Sequence, residues 1–383
     1  MRVLHVIPGL SLKDGGPTTA LHRMAAASAA IGMHVTVATT DDDAGGRLDV
    51  PLGRATNAGG VAYWYFARSM PISWKPSWPL TLWLARNVAR FDVVHVHALF
   101  SYTTIIGCRL AFRAGVPVVL RPLGTATPWS LAHHGWKKRP YFSLIERSHL
   151  RRAAAIHTTS EAERMDIAAL GFGGRAVVIP LGVDAVDSLQ RERAPEAPLR
   201  LLFLSRLHPK KNVAMLIDSV TDARRAGARV ELTVAGDGEP AFRRELEAHA
   251  RASAANGAIR FVGHVAGDEK RALLAASDAY ALPSHQENFG IAVAEALAAG
   301  LPVIVSDQVG IAPEIAASGA GTVIPVDRAA LSSAIIAMAA NVAARLSMGE
   351  RARTLAADRY SWSLTASMLG KLYADVILKG NTP

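Results

Sequence analysis

Residues 283–307 read PSHQENFGIAVAEALAAGLPVIVSD. Glu287 stands in a polar stretch, Phe289-Gly290 opens a helical pattern, and Glu295 falls inside it. Gly300 and Pro302 end the helix, and the apolar run from Val303 reads as a strand. If every residue from Glu287 to Glu295 were helical, the two carboxylates would lie about 80° apart, at ~100° per residue. A loop Glu plus a helix Glu, holding different parts of one ligand, is the better reading. The free amides of Gly290 to Ala292 between them are a natural seat for an anionic group.

Outward from this block the chain alternates short apolar strands with helices. The second half offers Leu201–Leu204, Glu231–Ala235, Ile259–Val262, Ala279–Leu282, Val303–Val305 and Thr322–Ile324. The first half offers Val3–Ile7, His34–Thr39, Val61–Tyr65, Val93–Val96, Val116–Leu120, Ala155–Thr158 and Val177–Ile179, with helical patterns such as Thr18–Gly32 and Thr103–Ala114 between them. β-branched runs separated by helices predict an α/β fold of parallel, doubly wound sheets. The boundaries expected are a domain over 1–183, a polar, proline-containing linker over 184–198, and a second domain over 199–360. Ala329 to Leu355 reads as helix, and a final helical segment within 361–383 is placed to pack back on the first domain. Ligands of such sheets bind beyond the carboxyl ends of the strands, so two such domains facing one another would share one cleft.

A chain of 383 residues, half of them hydrophobic, can build two sizeable cores. A single cysteine, Cys108, excludes an intramolecular disulfide and fits a reducing cytosol. The N-terminus lacks a secretory cleavage pattern, and no apolar run reaches the ~18 residues of a membrane span, so a cytoplasmic location is expected. The net charge of +10 is unevenly placed: residues 1–185 carry 20 Lys and Arg against 11 Asp and Glu, and the remainder 22 against 21. Six of the seven Trp (64, 74, 78, 83, 129 and 136) share that basic half. Nucleic acid or an anionic membrane surface would suit such a balance, as would a merely solvated face. No nucleic-acid-binding motif accompanies the charge, so nucleic acid is not expected as a partner.

Three further places carry chemistry. The first strand runs into Gly15-Gly16-Pro17, a turn whose amides could hold a phosphate, although neither a dinucleotide fingerprint nor a P-loop is present. FDVVHVHALFS puts His95 and His97 on one face of a strand; His97, nearer the carboxyl end, is the functional candidate and His95 the structural one. No Cys pair or H-E-x-x-H accompanies them, so zinc is not expected. LLFLSRLHPKKN carries Arg206 just past a strand and Lys211 at a helix start, a planar donor fork beside a mobile point charge, suited to a diphosphate.

As a set, DGGPTT, DVVHVH, SRLHPKKN, VAGDGE, FVGHV and the E-x7-E block resemble glycosyltransferase family 4, the retaining nucleotide-sugar transferases of GT-B fold. The likeness covers almost the whole chain. The stretch from Arg121 to Glu163 is also similar to members that build surface polysaccharides. The resemblance implies that Arg206 and Lys211 bind the donor diphosphate, and that Gly15-Gly16 brings an amide to the same phosphates. Glu295 would accept from the ribose hydroxyls, and Glu287 would contact the transferred hexose beside the amides of Phe289, Gly290 and Ile291. His97 would lie against the donor sugar, and Gly263 and His264 near the nucleobase. It implies no cofactor and no metal. No D-x-D lies in a plausible position, since Asp41 to Asp43 reads as a solvated loop or helix start. Retention through a short-lived ion pair is implied over a Glu287 nucleophile. The acceptor would be a glycan or lipid-linked group, with Lys137, Lys138, Arg139, Arg147, Arg151 and Arg152 around Tyr141–Ile145 as a candidate patch for the inner face of the cytoplasmic membrane. A GT-B epimerase or hydrolase acting without an acceptor is one alternative, and a basic nucleic-acid-binding protein, of a different class, is the other.

Overall fold

The computed structural model describes residues 1–11, 15–43, 46–70, 74–127, 130, 140–185 and 197–380. Most of the expected linker, with Lys137, Lys138, Arg139, Trp129 and Trp136, lies outside them. The chain divides into two units, Met1–Gly182 with Trp362–Pro383, and Val183–Ser361.

The first unit holds β1 (Arg2–Val6), β2 (His34–Thr40), β3 (Ala55–Ala58), β4 (Val61–Phe66), β5 (Val93–His97), β6 (Val118–Arg121), β7 (Ala155–Thr158) and β8 (Ala176–Val178). They form one sheet in the order β8-β7-β6-β5-β1-β2-β4-β3. All pairings are parallel except that of β3 with β4. Sequence reasoning missed β3, a polar edge strand (ATNA) that pairs antiparallel with the strand following it. The sheet is covered on both faces, which is why its central strands are fully buried rather than alternating. One core contains Val6, Val96, Leu84 and Leu120, and the other Val3, Val35, Val119 and Tyr373. The helix Trp362–Gly380 belongs to the second core through Leu369, Leu372, Tyr373 and Val376.

The second unit holds β9 (Leu199–Leu204), β10 (Val230–Ala235), β11 (Ile259–Gly263), β12 (Ala279–Leu282), β13 (Val303–Ser306) and β14 (Gly321–Ile324). Their order is β11-β10-β9-β12-β13-β14, and every pairing is parallel. Strand order reverses between β9 and β12, so the crevice beyond their carboxyl ends is where a doubly wound sheet accepts ligands. In the first unit the order reverses between β1 and β5.

Two expectations change. The Ala-rich stretch is two helices, Arg328–Ala340 and Val342–Arg359, bent by 103°. Asn341 makes the break: its extended backbone ends the first, and its side chain caps the second by accepting from the Ala344 amide at 2.9 Å. Asp41 and Asp42 are not solvated; they are 1% and 2% exposed. Arg47 donates to Asp41 at 2.7 Å, and Arg68 and Lys75 pair with Asp42 at 2.7 and 2.5 Å. These cations lie too far along the chain for local spacing to reveal them. Among the described residues, no single helix is long and apolar enough to cross a membrane.

Candidate active site

In the second unit the site is built at the β9/β12 reversal. Past β9 the chain runs through Ser205 and exposed Arg206 into a short 3-10 turn, Pro209–Lys211. Asn212, with φ 59°, ends that turn and begins the helix Val213–Arg225. Two glycines of VAGDGE hold the loop in place. A Cβ on Gly236 (φ 134°) would collide with the Ser205 carbonyl oxygen, and one on Gly238 with that of Leu207. The Leu207 amide donates to the Asp237 carbonyl at 2.8 Å. The glycines therefore let the backbone carrying Arg206 lie directly on the loop after β10.

Past β12, His285 donates its amide to the Lys210 carbonyl at 2.8 Å, joining the two reversal loops. Glu287 is fixed by its backbone: its amide donates to the Gln308 carbonyl at 3.0 Å, and its carbonyl accepts from the Gly310 amide at 2.8 Å. Gly290, with φ 94°, then caps the helix Ile291–Ala298. A side chain there would be strained by that φ and would press on Val309 Cγ1 at 3.1 Å. The Phe289 ring is buried and meets Tyr360 edge-on at 5.5 Å, so only its backbone amide is available to a ligand.

The geometry brings Lys211 and Glu287 into direct ion-pair contact across the strand reversal. Lys211 is 8% exposed. Burial, then the charges of Lys210 and Arg206, push its ammonium down to about 7. The touching Glu287 carboxylate acts the opposite way and favours the charged form. Glu295 is also engaged: Lys270 Nζ donates to its Oε1 at 2.6 Å. Sequence reasoning missed Lys270, which lies in the separate helix Gly267–Ala276 and carries no motif of its own. Gly263 (φ 76°) ends the edge strand β11, and exposed His264 follows it. The Gly263 carbonyl accepts from the Gly236 amide at 2.7 Å.

In the first unit, exposed Gly15 (φ 78°, ψ −139°) precedes the helix Gly16–Ala30, with Pro17 in its first turn. His97 ends β5 and is fully buried. Its Nε2 lies 2.9 Å from His5 Nδ1, and its Nδ1 has no hydrogen-bond partner. Burial first, then His5, Arg121 and His157, hold His97 well below the usual imidazole range. It is therefore neutral at pH 7. His95, read as structural, lies in the same layer: its Nδ1 is 2.7 Å from the Tyr373 hydroxyl, and its Nε2 is 3.4 Å from His157 Nδ1. The layer draws on three strands, β1, β5 and β7, and the last helix, so strand spacing exposed only its two central members. The possible ligand atoms of His5, His95 and His97 lie within 4.8 Å of one another.

Residues 15–182 match the family described as "Glycosyl transferase 4-like domain", and residues 187–355 match "Glycosyl transferases group 1". The phosphatidyl-myo-inositol mannosyltransferase of Mycobacterium leprae is 30% identical over 301 residues, covering 76% of this chain and 75% of the relative. A glycogen synthase of Mycobacterium tuberculosis is 31% identical over 292 residues, covering 74% and 69%. Among solved structures, sucrose-phosphate synthase from Thermosynechococcus elongatus has a TM-score of 0.79 at 19% identity, covering 99% of this chain and all (100%) of that one. The Anabaena protein HepE, in complex with UDP and glucose, has a TM-score of 0.77 at 18% identity, covering 98% and 100%. The two mainly parallel sheets and these matches define a glycosyltransferase of GT-B fold. The chain belongs to the family-4-like glycosyltransferases.

Proposed function

We propose that the protein transfers a hexose, with retention of configuration, from a nucleoside-diphosphate sugar to a glycan or lipid-linked acceptor in surface polysaccharide synthesis. The observation that carries this reading is the Lys211–Glu287 contact at the strand reversal, with Arg206 on the adjoining loop. On entry, the donor diphosphate takes Lys211 and Arg206, leaving Glu287 to the sugar hydroxyls and Glu295 to the ribose. Charge that builds on the departing diphosphate is met by both cations and by the first amides of the helix Ile291–Ala298, without a metal ion. Preorganised donors of this kind are worth ~3–4 kcal/mol each. With the leaving group stabilised in this way, transfer follows the ion-pair route, and Glu287 positions the sugar. Gly263 and His264 serve the base.

The names of two relatives, a phosphatidyl-myo-inositol mannosyltransferase and a GDP-mannose:cellobiosyl-diphosphopolyprenol alpha-mannosyltransferase, support a lipid-borne acceptor. Leu144, 79% exposed, stands among exposed Arg147, Arg151 and Arg152, a surface suited to peripheral attachment at the inner face of the cytoplasmic membrane. Sedimentation with anionic liposomes checks this: replacing the three Arg by Glu abolishes binding, and unchanged binding removes the patch. A thermal-shift panel of UDP-, GDP- and ADP-sugars tests the donor reading. One donor stabilises the wild type, and Glu295→Ala loses most of that shift. If no donor stabilises the protein at saturation, the transfer reading fails.

A further inference from the structure

Arg121 ends β6 as the register partner of His97 and is 2% exposed. Its Nε and Nη1 are buried without a hydrogen-bond partner, and among the described residues it forms no ion pair. A buried guanidinium left in this way costs several kcal/mol unless something arrives to meet it. The carboxylate whose charge it feels, Glu163, is already engaged by the Gly124 amide at 2.8 Å, the Thr159 amide at 2.7 Å and the Thr159 hydroxyl at 3.1 Å.

The neighbouring histidines divide into two groups. His157 Nε2–H donates to the Ile179 carbonyl at 2.9 Å, so its Nδ1 accepts from His95 Nε2–H, and His95 Nδ1 accepts from the Tyr373 hydroxyl. That relay is closed. His5 and His97 share one bond, which leaves one free N–H and one free lone pair on His5 Nε2 and His97 Nδ1. When His5 donates, His97 Nδ1–H is the free donor, on the strand paired with Arg121. A metal ion suits this layer poorly, since the His95 lone pair is already used and a guanidinium stands beside it.

We infer that Arg121 and His97 form a binding site for an oxyanion, a phosphate ester or carboxylate carried by the acceptor. Resting on the transferase reading above, the site supplies what that reading leaves open, the group by which the acceptor is recognised. Arg121 Nε–H and Nη1–H lie on different sides of the guanidinium, so one of them meets the oxyanion as a single charge-assisted donor, and the imidazole adds a second. Burial lowers Arg121 only to about 10, so it remains a cation at neutral pH.

The test is titration calorimetry with inorganic phosphate, glycerol phosphate and acetate at constant ionic strength. It uses full-length protein carrying Arg206→Ala and Lys211→Ala, so that the donor site does not report. Saturable binding is expected, at least tenfold weaker with Arg121→Gln added and weakened by His97→Gln. Preference for the two phosphates or for acetate identifies the oxyanion. Without ligand, Arg121→Gln should leave the unfolding temperature unchanged or raise it, because an unpaired buried charge is removed. No saturable binding, full binding by Arg121→Gln, or a large drop in unfolding temperature (the sign of a structural partner for Glu163) would each overturn the assignment. Failure of the nucleotide-sugar panel would leave these outcomes readable.

Discussion

Acidifying the protein from pH 7 to pH 5 should destabilise its first unit. Burial pushes His5 and His157 down to about 3, from 6.5, with the Arg121 charge acting the same way. Below pH 6.5 the unfolded chain takes up protons that the folded one refuses. Stability is therefore complete above 6.5 and falls as pH drops toward 3. Over the 1.5 units from 6.5 to 5, each of these histidines removes about 2 kcal/mol, at 1.36 kcal/mol per unit. His95 and His97 shift in the same direction and add to the loss. Asp92 and Glu161, held low by Arg2 and Arg164, enter only below about pH 4.5 by the same linkage. All seven Trp lie in this unit, so urea melts followed by Trp fluorescence report on it selectively. The urea midpoint should fall from pH 7 to pH 5, and His157→Gln should reduce the slope by about one proton. An unchanged midpoint would refute the neutral, buried histidine layer.

Three further outcomes follow from the second unit. Gly290→Ala should cost about 1–2 kcal/mol through its positive φ and weaken donor binding, read by denaturant melts and by calorimetry. Gly236→Ala must move the backbone that carries Arg206; nucleotide affinity should fall by about tenfold or more, since small misplacements are costly at a bound diphosphate. Lys270→Met removes a partly exposed ion pair, so stability should stay within about 1 kcal/mol. Nucleotide affinity should rise as Glu295 is freed, and a fall would show that Lys270 itself holds the ligand.

The fold was readable because both sheets are built of short β-branched strands at regular intervals, and the elements fell within a residue or two of their places. What escaped depends on contacts between distant segments. ATNA carries no apolar signal, and the break at Asn341 is a cap inside an otherwise continuous Ala-rich pattern. The buried Asp41 and Asp42 are neutralised by Arg47, Arg68 and Lys75. At the site, Arg206, Lys211, Glu287 and Gly290 could be placed because each lies one loop beyond a strand. Lys270 could not, since an exposed-looking helix lysine has no distinguishing spacing. Arg121 carries no distinguishing spacing, because its burial and unpartnered nitrogens arise from the sheet around it. The glycines of VAGDGE are required by the Ser205–Leu207 backbone that lies on them, a contact between segments distant in the chain.

The central claim is that Arg206 and Lys211 together hold a nucleoside diphosphate at the β9/β12 reversal. Titration calorimetry of UDP, GDP and ADP in EDTA, on the wild type and on the Arg206→Ala, Lys211→Ala double variant, tests it most directly. One nucleotide should bind the wild type without metal and bind the double variant at least a hundredfold more weakly, as the loss of two charge-assisted contacts requires. Binding of equal strength in both proteins, or of no nucleotide to either, would contradict the account.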